Sequence, residues 1–167
     1  MLPAFRASGD AKLARMSYTT QEGRERIIGD LSAAADQIEL ALSYLTDAYE
    51  LVEEGTADRL EEQLFVPVQA AYGRARRTQT EFSKRYGIGD GTAHGSATAS
   101  RPHGAKELIE GAVDAIEQAD HWIGELQDSL LPVEVGDEEL RAGLSETRAL
   151  IAPLPLRARE LVRTIGR

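Results

Sequence analysis

Between Thr19 and Glu54 the residues Ile28, Leu31, Ala35, Ile38, Leu42, Leu45, Tyr49 and Val52 follow one another at alternating intervals of three and four. That alternation puts all eight on one stripe of an α-helix, whereas the two-residue period of a strand would scatter them over both faces. Ala34, Ala41 and Ala48 recur every seventh residue beside the stripe, a small-residue flank that lets a neighbouring backbone come close. A helix of about 35 residues, roughly 52 Å long, cannot hide such a seam by itself. Other helices must cover it.

The chain supplies three more seams. The second runs through Phe65, Val68, Tyr72, Ala75, Gln79, Phe82 and Tyr86, widened by Leu60, Leu64 and Ala71. The third is Ile109, Ala112, Ile116, Ala119, Ile123, Leu126 and Leu130, and the fourth is Leu140, Leu144, Thr147, Ile151, Leu154, Ala158, Leu161 and Ile165. The punctuation between them is equally readable. Thr19 with Glu22 forms a capping box at the first helix start. Gly55 suits the left-handed stop, and Thr56 caps the next helix at once, so the first two helices form a tight antiparallel hairpin. Pro67 removes an amide donor inside the second helix and predicts a kink. Gly87 closes that helix and Pro132 ends the third. Asp137, with Glu138 and Glu139 behind it, opens the fourth, which Pro153 and Pro155 split into two pieces.

Residues 87–104, GIGDGTAHGSATASRPHG, are too poor in apolar side chains to order themselves and read as a flexible linker. A chain of that length prefers an end-to-end distance of about 23 Å, against about 45 Å for the bundle, so a return at the same end is expected. The predicted fold is all-α: an antiparallel up-down-up-down four-helix bundle made of two helical hairpins joined by a long flexible loop. Residues 1–18, with no sustained period, read as a disordered tail, and Met16 as a second plausible translation start. Residues 19–167 read as one bundle domain, with hairpins over 19–86 and 105–167.

The same frame narrows function. Without cysteine there are no disulfides, thiolate metal sites or cysteine nucleophiles. A net charge of −9 argues against nucleic acid as the main partner. No apolar run approaches the ~20 residues of a membrane span, and Met1–Arg15 lacks the ~7–15-residue apolar core of a signal peptide, so a cytoplasmic location is expected. The inward positions carry no carboxylate and no histidine, only Gln79, Thr147 and tyrosine hydroxyls as polar groups. Di-iron bundles need inward glutamates with Glu-x-x-His, and haem bundles an inward His or Met; neither pattern is present. Met1 and Met16 fall in the tail, His94 and His103 in the linker. Glu117 and His121, four apart near the outer line of the third helix, read as a solvated pair. No catalytic, cofactor or metal residue is therefore expected, and the chain is not read as an enzyme.

Charge is the remaining signal. In the up-down-up-down arrangement the ends of helices two and four meet at one pole. That pole would gather Arg74, Arg76, Arg77, Lys84, Arg85, Arg157, Arg159 and Arg163, together with Arg24, Arg26, Arg101, Lys106 and Arg167, while the other gathers Glu50, Glu53, Glu54, Asp58, Glu61, Glu62, Asp128, Glu134 and Asp137 to Glu139. Helix dipoles account for bases late in helices two and four, but not for acids closing helices one and three. Two expectations follow. The first is a non-enzymatic bundle acting through protein–protein contact or self-association, with Trp122, Tyr44 and Val113 as an outer contact patch. The alternative is a small-ligand or anion-binding module gripping with the first eight of these bases, Arg74 to Arg85 on helix two and Arg157, Arg159 and Arg163 on helix four.

Overall fold

The structure is a computed structural model that describes residues 6–91 and 101–165, with side chains from Thr20 onward. Its elements are α1 (Arg6–Tyr49), α2 (Glu54–Leu60), one π-helical turn (Glu61–Phe65), α3 (Val66–Tyr86), α4 (Ala105–Asp128), the short α5 (Leu131–Glu134), α6 (Glu138–Ile151) and α7 (Leu154–Ile165). The π turn joins α2 and α3 into the second long helix, and α6 with α7 makes the fourth. The chain is thus a four-helix bundle. No described helix is long and apolar enough to cross a membrane.

Side-chain contacts fix the direction of each helix. Gly111 of α4 lies against Tyr44 of α1, while Leu131, beyond the far end of α4, lies against Gly23, so α4 runs opposite to α1. Arg85 reaches Asp137, Gly143 meets Thr78 and Arg59 reaches Thr164, so α6–α7 runs opposite to α2–α3. Going round the bundle the order is α1, α2–α3, α6–α7, α4, and the diagonal pairs do not touch. Every helix is therefore antiparallel to both neighbours, and directions alternate around the bundle as expected. In chain order, however, they run up, down, down, up. The link crosses from one end to the other and does not return at the end where it left.

The crossing is shorter than the bundle because both ends of the link are already seated along α1. After Gly87, in the left-handed conformation that closes α3, the Ile88 amide bonds the Ser83 carbonyl at 3.1 Å. The Gln79 side-chain amide then donates to the Asp90 carbonyl, and Gly91 lies against Ile28 and Ser32. At the other end Arg101 pairs with Asp47 at 2.8 Å and donates to Ser43. From Ser32 to Ser43 the axis of α1 covers only about 16 Å, and nine residues can reach about 30 Å. Taking the whole bundle length as the span was the error in the expectation. Residues 92–100, with His94, lie outside the described part.

Most of the seams are buried as read, with local corrections. In α1 the core line holds Ile27, Ile28, Leu31, Ala34, Ala35, Ile38, Ala41, Leu45 and Ala48, while Tyr49 is exposed. The line slides onto the alanine flank because a helix of 3.6 residues per turn drifts off a seven-residue repeat. The helix also runs from Arg6, so Thr19 and Glu22 lie within it and do not start it, and residues 6–18 carry helical backbone where a tail was expected. Gly55 is not the stop. The turn comes earlier, at residues 50–53, and Gly55 lies inside α2, because the Glu53 carbonyl takes the Thr56 and Ala57 amides at 3.0 and 2.8 Å and so begins the helix ahead of the glycine.

Pro67 produces a π turn in place of a simple kink. The Val66 amide bonds the Glu61 carbonyl five residues back, which resets the register just where Pro67 would otherwise confront the Gln63 carbonyl. Downstream the core line is Val68, Ala71, Ala75, Gln79 and Phe82, with Leu60 and Leu64 ahead of it, while Phe65, Tyr72 and Tyr86 sit half-buried at its edge. The third helix stops at Asp128, before Pro132. Leu130 is left-handed at φ 62° and 58% exposed, so it leaves the core line. The fourth helix divides at Ala152–Pro153 as expected, and its stripe from Leu140 to Leu161 is buried throughout.

Candidate docking groove

Among the described residues the buried polar side chains are Ser32, Thr56, Thr78, Gln79, Ser83, Asp137 and Thr147. Most are committed to holding the fold. Thr147 bonds the Gly143 carbonyl and Thr78 the Arg74 carbonyl, each at 2.8 Å within its own helix. Gln79 and Ser83 hold the link at Asp90 and Gly89, and Arg76 braces the Gln79 carbonyl oxygen at 3.1 Å. Among the described residues Asp137 is the one buried ionisable group, and it sits at the end of the bundle, not in its centre. It caps α6 by accepting from the Leu140 amide at 2.8 Å and takes two bonds from Arg85, at 2.8 and 2.9 Å. Burial works to raise its carboxyl, but the bonds from Arg85, Leu140 and the Tyr86 hydroxyl together hold it below its ordinary value. Burial and the neighbouring Asp137 push the Tyr86 hydroxyl up. Arg24 stacks over the Tyr86 ring at 4.2 Å, tying α1 to the same cluster.

The eight basic residues proposed as an anion grip are not brought together. Reversing the second hairpin sends Arg157, Arg159 and Arg163 to the end that carries Glu53, Glu54 and Asp58, while Lys84 and Arg85 share the other end with Asp137 to Glu139. The two poles are of mixed charge. Three of the eight are also engaged: Arg74 with Glu146, Arg76 with Asp36 and Glu39, and Arg85 with Asp137 and Glu139. Arg77 and Lys84 lie on α3, with Arg77 exposed and away from α7. The expected contact trio is divided as well. Tyr44 is tucked against Gly111 in the α1–α4 seam under Arg101, Val113 lies on the flank of α4 that faces α7, and Trp122 is 38% exposed. No group of three metal-ligating side chains converges among the described residues.

What the fold does create is a groove of about 400 Å³ along α4 and α7. Its floor is Ile109, Val113, Ala158 and Val162. One wall carries Lys106, Glu110, Asp114 and Glu117 of α4, the other Arg159 and Arg163 of α7. Two features open it. The break at Pro153 re-aims the fourth helix, so that α6 lies chiefly on α3, whereas α7 is shared about evenly between α4 and the α2–π turn. Ala158 then contributes a single methyl where Leu154 and Leu161, before and after it, fill the seam. Lys106 and Glu110 are 4.0 Å apart on the solvent side, whereas Arg159 and Arg163 have no ion-pair partner among the described residues. The signals for this site in the sequence were the one small residue in the fourth stripe and the proline pair just ahead of it.

No protein-family model matches the chain, no curated protein is similar to it in sequence, and no solved structure matches its fold.

Proposed function

We propose that the protein is a non-enzymatic helical bundle that works by contact with another protein, and that the groove between α4 and α7 is where the contact is made. The observation that carries this reading is the groove itself: an apolar floor open to water and charged on both walls. The buried polar groups support the reading from the other side, since Gln79, Ser83 and Asp137, with its partner Arg85, are occupied in holding helices and link together. An exposed apolar surface framed by charge is the usual anatomy of a contact patch. Self-association is the same reading with a second copy as partner.

The test is a charge placed on the floor. Val162→Glu should abolish the mass increment seen by light scattering, or the partner retained in pull-downs, while leaving the helical signal and monomer mass unchanged. A wild type that is strictly monomeric and retains nothing that Val162→Glu loses would refute the proposal.

A further inference from the structure

The groove has two unlike walls. On the α4 wall the charges are Glu110, Asp114 and Glu117, and the one base, Lys106, stands at the end and is already paired with Glu110 at 4.0 Å. The α7 wall is purely basic, with Arg159 and Arg163 one turn apart and unpaired among the described residues. Each wall carries the charge the other lacks, and the open floor keeps them from meeting within one molecule. Such a surface complements a turned copy of itself.

The register sharpens the match. Because α4 and α7 run antiparallel and share the floor, Ile109 lies level with Val162, and Val113 level with Ala158. Arg159 is then level with the interval between Glu110 and Asp114, and Arg163 with the residues just before Glu110. Consider a second copy turned by half a revolution about an axis parallel to the helices, at the mouth of the groove. Every level is kept and the walls are exchanged, so that each α4 covers the other copy's α7. Acids then face arginines twice over. Val113, half-buried on the floor, comes over Ala158, where the small side chain leaves room. The two α4 and two α7 helices around the axis each run opposite to their neighbours, which is how the bundle itself is packed. A two-fold axis perpendicular to the helices would lay α4 on α4 and α7 on α7, acid against acid and base against base, at a cost in repulsion.

From this we infer that the groove is closed by the same groove of a second copy, in a two-fold dimer with each α4 over the other copy's α7. The inference rests on the contact reading and names its partner. An interface of this kind uses one patch on both subunits and must be self-complementary; here the walls supply that in charge, and Val113 with Ala158 in shape. The net charge of −9 opposes any pairing of copies, so the dimer is a weak one that fills as concentration rises.

The experiment is sedimentation equilibrium of the full chain over a wide concentration range, with charge reversals. Wild type should pass from monomer to dimer. Arg159→Glu with Arg163→Glu puts acid over acid, and Glu110→Lys with Asp114→Lys puts base over base. Each double variant alone should therefore associate at least about tenfold more weakly than wild type. Mixed in equal amounts they should recover a dimer at least as tight as wild type, since both crossings again pair acid with base. All four positions are exposed, and the recovered mixture itself shows that both variants fold. Cysteines report which helix covers which: in a mixture of Glu110→Cys and Arg159→Cys chains, a short bismaleimide should join unlike variants in preference to like ones. A monomeric wild type, a mixture that stays monomeric, a double variant that dimerises as well as wild type, or a preference for like cross-links would overturn the inference. If the wild type is monomeric while Val162→Glu still loses a protein that wild type retains in pull-downs, the contact reading stands and the second copy is excluded as its partner.

Discussion

Removing the carboxylate of Asp137, buried at one end of the bundle, should destabilise the protein substantially. The side chain is 4% exposed and joins three helices: it caps α6, takes two bonds from Arg85 of α3, and accepts from Tyr86, over which Arg24 of α1 is stacked. Loss of an N-cap costs about 1 kcal/mol, and removing one partner of a buried pair costs about 3–5 kcal/mol because the other charge is stranded. Arg85 keeps 30% exposure and its second partner Glu139 at 2.6 Å, which places Asp137→Ala near about 3 kcal/mol. For a chain of this size that lowers the melting temperature by roughly 6–12 °C. Asp137→Asn keeps the cap and removes only the charge, so it should cost less, about 1–2 kcal/mol. The pH dependence separates the two terms. A carboxyl held low in the folded state contributes stability that is present above its unfolded value of about 3.9 and is lost as pH falls through the folded one. Urea denaturation followed by circular dichroism should therefore show the gap between wild type and Asp137→Asn closing as the pH is taken below about 3.9. A gap that persists unchanged at low pH, or an Asp137→Ala variant within about 0.5 kcal/mol of wild type, would refute the reasoning.

Other outcomes follow from the same geometry. A Cβ at Gly143 would stand 2.6 Å from Cγ2 and 2.9 Å from Cβ of Thr78, so Gly143→Ala should cost about 1–3 kcal/mol by overpacking. Gly73, exposed in α3 with nothing within 4 Å, should accept alanine with a gain of about 0.5–1 kcal/mol, and paired denaturation curves check both signs. Leu130 holds a left-handed backbone while 58% exposed, so Leu130→Gly should raise stability by up to about 1 kcal/mol; a loss would mean its side-chain contacts outweigh the strain. Because the chain has no cysteine, Asp47→Cys with Arg101→Cys should react cleanly with a short bismaleimide to give an intramolecular cross-link. A link returning at the same end would leave the two thiols far apart and uncross-linked.

The fold was legible because it depends on period. Residues such as Ile38, Ile116 and Leu144 announce their burial by spacing alone, and Asp137 announces its cap by standing before two acids at the start of a stripe. The direction of the second hairpin was not legible. It turns on where Gly91 and Arg101 rest on α1, a contact between residues distant in sequence and without any local pattern. The charge poles fell with it, since they were inferred from the wrong direction. The groove stayed hidden for a related reason: it arises from what Ala158 lacks, and a stripe reading credits alanine as apolar without asking how much space it leaves.

The meeting of Gly143 and Thr78 has a consequence for how this chain can vary. Two positions separated by sixty-odd residues share a single allotment of volume, so neither is free to mutate on its own. A methyl gained at 143 becomes tolerable only beside a residue slimmer than threonine at 78. Making that replacement first leaves a void, and making the other first produces a collision. Lineages of this protein should therefore change the two together or hardly at all.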